Sequence, residues 1–319
     1  VYPSLTADDL RTICRDCEPV VCIASNSDQT NKLIEVSREL SSIRSIVVAD
    51  TTQQHHAFVV RWAEALEQGR ERYPRFQEFL DHRREQIRPE DTTTLIYTSG
   101  TTGEPKGVML SHRNFLSNVE ACRLVIPIRR GDLYLSFLPL CHVFERMAGW
   151  YLMLSVGASV AYAEDMDTIP QNMLEVRPMV MLGVPRFFEK LYARVQEGLR
   201  QAPGAKRWIA EWALRVGQAV ASRRIAGESV PVGLQVQRCL AHHLVFKKLQ
   251  ARLGGRLRFF VSGSAPLAKE IGEFFYSVGV TILEGYGLTE TSPVIAVNRL
   301  SAPRFGSVGL PLPGVDVRI

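Results

Sequence analysis

The run from Tyr97 to Gly107, Tyr-Thr-Ser-Gly-Thr-Thr-Gly-Glu-Pro-Lys-Gly, constrains this chain more than any other stretch. Its three glycines let the backbone turn sharply and come close to a ligand. Five hydroxyl side chains and Lys106 supply donors for a cluster of anionic oxygens. Thr94-Leu95-Ile96-Tyr97 before it and Val108-Met109-Leu110 after it read as short buried strands, so the loop joins strand to strand. A Walker A loop opens a helix and needs Gly-x-x-x-x-Gly-Lys-Ser/Thr. Here Lys106 sits between Pro105 and Gly107, so a P-loop NTPase is excluded on residues and on context. Composition alone leaves one plain alternative, a Gly- and Thr-rich surface loop.

Around that loop the chain alternates between helix and strand. Thr6 can cap a helix with Ala7, Leu10, Ile13 and Cys14 on one face, and Pro19 to Ile23 reads as a strand. A helix over 29–40 and a strand over 45–48 complete an α/β unit, which implies a parallel sheet. Residues 50 to 90 carry a charged helical pattern with Phe58, Trp62 and Leu66, ending in a linker at Arg88-Pro89-Glu90-Asp91. Beyond the loop, Ser111 can cap a helix, Leu133 to Phe137 reads as a strand, and one helix is expected from Phe144 to Val156 with Gly157 as its C-cap. Pro178 to Val184 is an apolar strand followed by a helix with Pro185 in its first turn. The 319 residues, 46% hydrophobic, can bury a large core, and no window approaches eighteen apolar residues. Of six cysteines, only Cys14, Cys17 and Cys22 cluster, without a histidine or fourth cysteine to complete a zinc site; they read as reduced thiols.

Two further strands end in loops with chemistry. Phe259 to Ser262 runs into Gly263-Ser264-Ala265-Pro266, and Val280 to Leu283 runs into Glu284-Gly285-Tyr286-Gly287-Leu288-Thr289-Glu290. Both loops leave the carboxyl ends of adjacent predicted strands, where open α/β sheets bind ligands, and such a pair can sandwich a flat base. Each loop alone also reads as a glycine turn beside a packed tyrosine or proline.

The Tyr97–Gly107 segment closely resembles the phosphate-binding signature of the adenylate-forming enzymes, the superfamily of acyl-CoA synthetases, luciferases and peptide-synthetase adenylation domains. Further matches follow in the family's order: Pro139-Leu140-Cys141-His142, the two strand-end loops, and Gly306 to Val315. The resemblance implies an α/β large domain with parallel-rich sheets flanked by helices in a layered αβαβα arrangement, in two portions, 1–90 and 91–319. It implies that Thr98, Ser99, Gly100, Thr101, Thr102, Gly103 and Lys106 hold the ATP phosphates, and that His142 lies beside the acyl carboxylate. Gly263, Ser264, Ala265 and Pro266 would border the adenine together with Glu284, Gly285, Tyr286 and Gly287, with Tyr286 stacked on it. Thr289 would touch the α-phosphate and Glu290 would hold Mg²⁺. Catalytic work would fall to Lys106, His142, Thr289 and Glu290. In the family, Tyr2-Pro3-x-Leu5-Thr6 lies well inside the large domain, and a ribose-binding aspartate, a hinge and a lysine-bearing C-terminal domain follow later. The chain is therefore expected to be the central part of a longer enzyme, inactive alone.

Phe144-Glu145-Arg146, Val184-Pro185-Arg186 and a helical insert at about 198–250 resemble the long-chain fatty acyl-CoA synthetase branch. The implied reaction joins a fatty acid to coenzyme A through an acyl-adenylate; loading of a carrier protein and a non-catalytic binding module are the alternatives. The insert is also basic: from Arg194 to Arg258 there are 13 Lys and Arg against 3 Asp and Glu. Trp208, Trp212 and Val216 recur there at helical spacing among Lys206, Arg207, Arg215, Arg223 and Arg224. This reads either as a surface that rests on anionic lipid or as an inward-packed helix with solvated arginines. No nucleic-acid recognition motif accompanies the charge. A cytoplasmic enzyme with peripheral contact to the cytoplasmic membrane face is expected.

Overall fold

Thr6 and Asp9 start the first helix. The Thr6 hydroxyl accepts the Asp9 N–H at 3.2 Å and the Asp9 carboxylate accepts the Thr6 N–H at 2.9 Å, which satisfies two free donors at the start of α1 (Ala7–Cys17). The computed structural model describes residues 1–49, 56–99 and 105–318. It forms two compact units, Val1–Arg113 and Asn114–Ile319.

In the first unit, β1 (Val21–Ala24), α2 (Ser27–Ser37), β2 (Ser45–Val48) and β3 (Val59–Arg61) build a parallel sheet in the order β1-β2-β3. Leu10 and Cys14 of α1 and Leu33 and Val36 of α2 pack with Cys22, Ala24 and Ile46 of the strands as its core. The helical pattern expected across residues 50 to 90 is interrupted here. Val59, Val60 and Arg61 pair in parallel with Ile46, Val47 and Val48, and α3 (Trp62–Glu85) begins only at Trp62. Two β-branched residues beside an open strand edge take the sheet in preference to the helix. β4 (Thr92–Ser99) and β5 (Pro105–Ser111) then form an antiparallel hairpin, the strand-to-strand setting expected for the phosphate loop.

α4 (His112–Val125) follows directly on β5 and buries Phe115, Asn118, Val119 and Cys122. The second unit is organised on a seven-stranded sheet built of β6 (Leu133–Ser136), β7 (Ser159–Tyr162), β8 (Val180–Gly183), β9 (Phe259–Ser262), β10 (Thr281–Gly287), β11 (Val294–Val297) and β12 (Leu310–Pro311). Its order is β12-β11-β10-β9-β8-β6-β7, parallel from β7 to β10 and antiparallel across β10, β11 and β12. Every residue of β8 and β9 is buried, the signature of central parallel strands. Between β6 and β7 the expected single helix is a π-helical segment, Glu145–Tyr151, continued by α5 (Leu152–Val156), which Gly157 ends at φ 73°. α6 (Ile169–Val176) precedes β8.

β8 and β9 are parallel neighbours, and the chain joining them carries α7 (Pro185–Arg200), α8 (Gly204–Ile225), α9 (Val232–Ala241), a second π-helical turn at His242–Phe246 and α10 (Lys247–Ala251). The helical insert is thus the crossover between two central strands. α11 (Lys269–Ser277) makes the next crossover, from β9 to β10. Ala213, Val216, Ala241 and Phe246 of the insert pack with Ile271, Phe274 and Phe275 of α11 and with Phe260 and Ile282 of the sheet. α8 and α11 approach so closely that a Cβ on Gly217 would lie 2.6 Å from the Ser277 carbonyl oxygen. Of the two readings of the α8 stripe, the inward-packed one holds for Trp212 and Val216 and the lipid-facing one does not. Val216 is buried, Trp212 packs against the core, and of the three only Trp208 is exposed, at 65%. Besides Trp208 and Ile225 on α8, the insert exposes a run of apolar side chains on α9, at Val232, Val236 and Leu240, followed by Leu244.

Candidate functional site

β9 and β10 run parallel in a register that pairs Ser262 with Glu284, so the loops that follow them leave the sheet at the same edge. Ser264, Ala265 and Pro266 from the first loop and Glu284, Gly285, Tyr286 and Gly287 from the second together line a cavity of about 530 Å³. Ser264 adopts a left-handed backbone at φ 70°, which turns the first loop sharply out of β9. Tyr286, which lines the cavity, is 46% exposed. A flat, rigid face presented to an open cavity suits stacking.

Glu284 acts differently from its neighbours. It is buried, and its carboxylate accepts the N–H of Gly306 at 3.0 Å and the N–H of Leu267. One side chain thereby ties together the loop after β9, the end of β10 and the loop at 306–308. Burial raises its pKa, and the two backbone donors oppose that rise. Gly306, Ser307 and Val308 complete the cavity. The sequence showed this segment only as a motif, with no site residue in it. Buried Asn298 holds the segment by donating to the carbonyls of Arg304 and Ser307 and accepting the Arg304 N–H. A lone asparagine between apolar residues carries no periodic signal that would reveal this task.

Past β10 the chain makes a single 3₁₀ turn at Thr289–Thr291, with Thr289 half-buried and Glu290 exposed. The Thr291 hydroxyl accepts the Leu288 N–H at 2.9 Å and fixes the turn. Among the described residues no group of three or more His, Cys, Asp or Glu could hold a metal by itself. Glu290 therefore offers one carboxylate to solvent.

His142 lies in the same unit. Its Nδ1 accepts the Phe144 N–H at 3.2 Å, which leaves the ring proton of the neutral form on Nε2, and burial lowers its pKa. A Cβ on Gly263 would come within 2.9 Å of the Phe144 ring. The His142–Phe144 segment is thus packed against the first residue of the loop after β9.

The phosphate-loop residues belong to the first unit. Thr98 pairs with Lys106 and Ser99 with Pro105 at the end of the hairpin, with Ser99 and Lys106 exposed. Gly100, Thr101, Thr102 and Gly103 lie outside the described residues. Tyr97 sits across from Gly107, where a Cβ would lie 3.0 Å from its ring. Its hydroxyl donates to Asp16 at 2.5 Å, and burial, then Asp16, push its pKa upward. The hairpin is in this way pinned to α1.

The sequence model of the family described as AMP-binding enzyme matches residues 1–319. FadD11 of Mycobacterium tuberculosis, by its given name a fatty-acid–CoA ligase, is 42% identical over 235 residues, covering 73% of this chain and 41% of that protein. The long-chain-fatty-acid–CoA ligase FadD15 of Mycobacterium bovis is 31% identical over 325 residues, covering 100% of this chain and 52% of its own length. The chain spans about half the length of these curated relatives. Among solved structures, ATP-bound MatB from Rhodopseudomonas palustris superposes with a TM-score of 0.63 at 21% identity, covering 98% of this chain and 49% of MatB, which shows a shared fold. A mixed, parallel-rich sheet with ligand-sized space at its carboxyl edge and a family match along all 319 residues lead to one conclusion: this chain belongs to the AMP-binding enzymes.

Proposed function

We propose that the intact protein carrying this chain is an AMP-forming ligase that activates a long-chain fatty acid with ATP and passes the acyl group to coenzyme A. The observation that carries this reading is the cavity at the ends of β9 and β10, lined by Ser264 to Pro266 and by Tyr286. The printed names of FadD11 and FadD15 support a fatty acid as substrate and coenzyme A as acceptor. In the first step a carboxylate oxygen of the acid bonds to the α-phosphorus of ATP and pyrophosphate leaves. In the second, the coenzyme A thiol bonds to the acyl carbon, loses its proton and releases AMP.

Phosphoryl transfer leaves the protein mostly positioning and charge neutralisation to do. Tyr286 stacks on the adenine beside Ser264, Ala265 and Pro266. Thr98, Ser99, Gly100 to Gly103 and Lys106 hold the β- and γ-phosphates, and Thr289 donates to the α-phosphate. His142, neutral with its proton on Nε2, donates to the acyl carboxylate. Glu290, with one exposed carboxylate, would hold a Mg²⁺ ion, which would neutralise charge on the triphosphate when bound. Fatty-acid-dependent ATP–pyrophosphate exchange tests the first step, and thioester formation with coenzyme A against a carrier protein tests the acceptor. No exchange with any long-chain acid would refute the reading.

Stacking makes a specific demand on Tyr286. Tyr286→Phe is expected to bind ATP within about twofold of the parent, since the ring alone stacks, whereas Tyr286→Ala should weaken binding about tenfold or more. Equal losses in a calorimetric titration of both variants would rule stacking out.

The insert suggests how such an acid arrives. No described helix is long and apolar enough to cross a membrane. α9, however, exposes Val232, Val236 and Leu240, with Leu244, Lys247 and Lys248 beyond them and Arg223 and Arg224 before them. We propose that this face rests on the anionic cytoplasmic surface of a bilayer, where each nearby basic residue contributes about 1 kcal/mol. Sedimentation with phosphatidylserine vesicles should capture the intact protein at low salt and release it at high salt. Val236→Asp with Leu240→Asp should abolish capture; unchanged capture would remove this face from consideration.

A further inference from the structure

Glu145 is buried to 0% exposure, yet among the described residues it forms no ion pair. Its carboxylate accepts the Tyr134 hydroxyl at 2.7 and 2.8 Å and the Ser136 hydroxyl at 2.5 Å, both from β6. The side chain reaches β6 by folding back over its own π-helical segment, in a slot left by Gly149. A Cβ there would lie 2.5 Å from one carboxylate oxygen and 2.6 Å from the carboxyl carbon. Residue 145 also follows Phe144, whose ring closes on Gly263 and whose N–H binds His142. An acid placed in an apolar core without a cation is costly, and an aliphatic residue would fill the space at lower cost. Two hydroxyls and a missing Cβ make the cost tolerable, and all three depend on the acid being there.

We infer that Glu145 is a positioning residue: by anchoring the start of the π-helical segment to β6, it holds Phe144 against Gly263 and so fixes the distance between His142 and the loop that begins at Gly263. This rests on the reading that these residues line the acyl and nucleotide site. Directional hydrogen bonds to two neighbouring positions of one strand set an angle as well as a depth, which an aliphatic contact does not.

Protonation bears on the same contact. Burial raises the Glu145 pKa to about 7, opposed by the Ser136 and Tyr134 hydroxyls, with no contribution from Arg146 or His142 on its own segment. Tyr134, its own pKa raised by burial and then by Glu145, stays neutral, and Tyr162 on β7 lies beyond it. The folded protein therefore holds this proton more tightly than the unfolded chain. The group's contribution to stability is full below about pH 4.5 and is lost as pH rises through about 7. Glu145→Gln copies the neutral acid, since its carboxamide oxygen can accept from Tyr134 while its NH₂ donates to Ser136.

The experiment uses the intact protein. Glu145→Ala is expected to raise KM for the fatty acid in ATP–pyrophosphate exchange about tenfold or more, with a smaller change in KM for ATP. In thermal melts Glu145→Gln should match the parent near pH 6 and lack the loss of stability expected of the parent as pH rises through about 7. Gly149→Ala should behave like Glu145→Ala, and the double variant should be no worse than either, because removing the carboxylate makes room for the methyl group. Hydrogen–deuterium exchange reads the contact without turnover: Glu145→Ala should raise uptake in both 142–149 and 263–267. An unaltered KM for the acid, additive losses in the double variant, or uptake confined to 142–149 would each overturn the inference. Absent exchange in the parent would instead count against the ligase reading, and deuterium uptake would still decide the role of Glu145.

Discussion

Lys106→Ala and Glu290→Ala, each made in the intact protein, are expected to lower ATP–pyrophosphate exchange about 10²-fold or more, the usual loss when a preorganised electrostatic group is removed from a transition state. The two act on different charges. Lys106, exposed at the end of the β4–β5 hairpin and opposite Thr98, has the proposed role of bringing a positive charge to the phosphates. Glu290, exposed on the 3₁₀ turn after β10, has the proposed role of a carboxylate ligand to a metal ion. Neither side chain is buried, so both variants should fold with melting temperatures close to the parent's, and lost exchange would then report on chemistry alone. Raised Mg²⁺ should partly restore Glu290→Ala and leave Lys106→Ala unchanged. Exchange undiminished in both variants would dismiss the proposed phosphate and metal roles together.

The second large effect is steric. A Cβ on Gly287 would lie 1.8 Å from the Pro293 carbonyl oxygen, 2.6 Å from its carbonyl carbon and 3.0 Å from the Val294 Cα. All three are backbone atoms, so no rotamer change can relieve the clash. Either the end of β10 or the start of β11 must move, and Tyr286 and Thr289 move with it. Gly287→Ala is expected to cost about 3 kcal/mol, the upper end of the usual range for overpacking, and to abolish measurable ATP binding. Gly285, two residues earlier on the same cavity wall, has nothing nearer than 3.6 Å to a Cβ. Gly285→Ala should stay within about 1 kcal/mol of the parent. Thermal melts of the pair give the comparison, and similar melting temperatures for both would show that the β10–β11 junction yields more easily than its geometry implies.

Where sequence reading succeeded, the signal was local. The Thr6 cap, the buried strands that became β8 and β9, the paired loops after β9 and β10, the hairpin around 97–107 and the αL stop at Gly157 each rest on a few adjacent residues. The misses needed distant partners. β3 forms because β2 offers an edge, and nothing within Val59-Val60-Arg61 distinguishes that outcome from the first turn of a helix. The π-helical segment exists where Glu145 turns inward to hydroxyls on β6, and a glutamate beside an arginine reads as solvated surface. Helical spacing placed Trp208, Trp212 and Val216 on one stripe, but only the position of α11 determines which side of that stripe is covered. In the candidate site, the loops after β9 and β10 were legible as loops because each carries its own conformational demands. Glu284 and Asn298 were not legible as tie points, since their partners lie in other loops, at Leu267 and Gly306 for Glu284 and at Arg304 and Ser307 for Asn298.

The crossover between β8 and β9 also bears on how the second unit assembles. Two strands at the centre of the sheet cannot pair until everything between Val184 and Arg258 has been gathered in, so the central contact of the sheet is also one of its most non-local. Loop-closure entropy grows slowly, about 0.6 kcal/mol for each doubling of length, so the insert costs little in final stability. Its effect falls on rate, since long-range parallel pairing forms late and leaves strand edges open meanwhile. The helices of the insert shorten that search: α8 and α9 can pair as a local hairpin before the sheet exists. During synthesis β8 must then wait for the insert to emerge before β9 can reach it, with its four apolar-lined residues the segment most in need of shelter from aggregation.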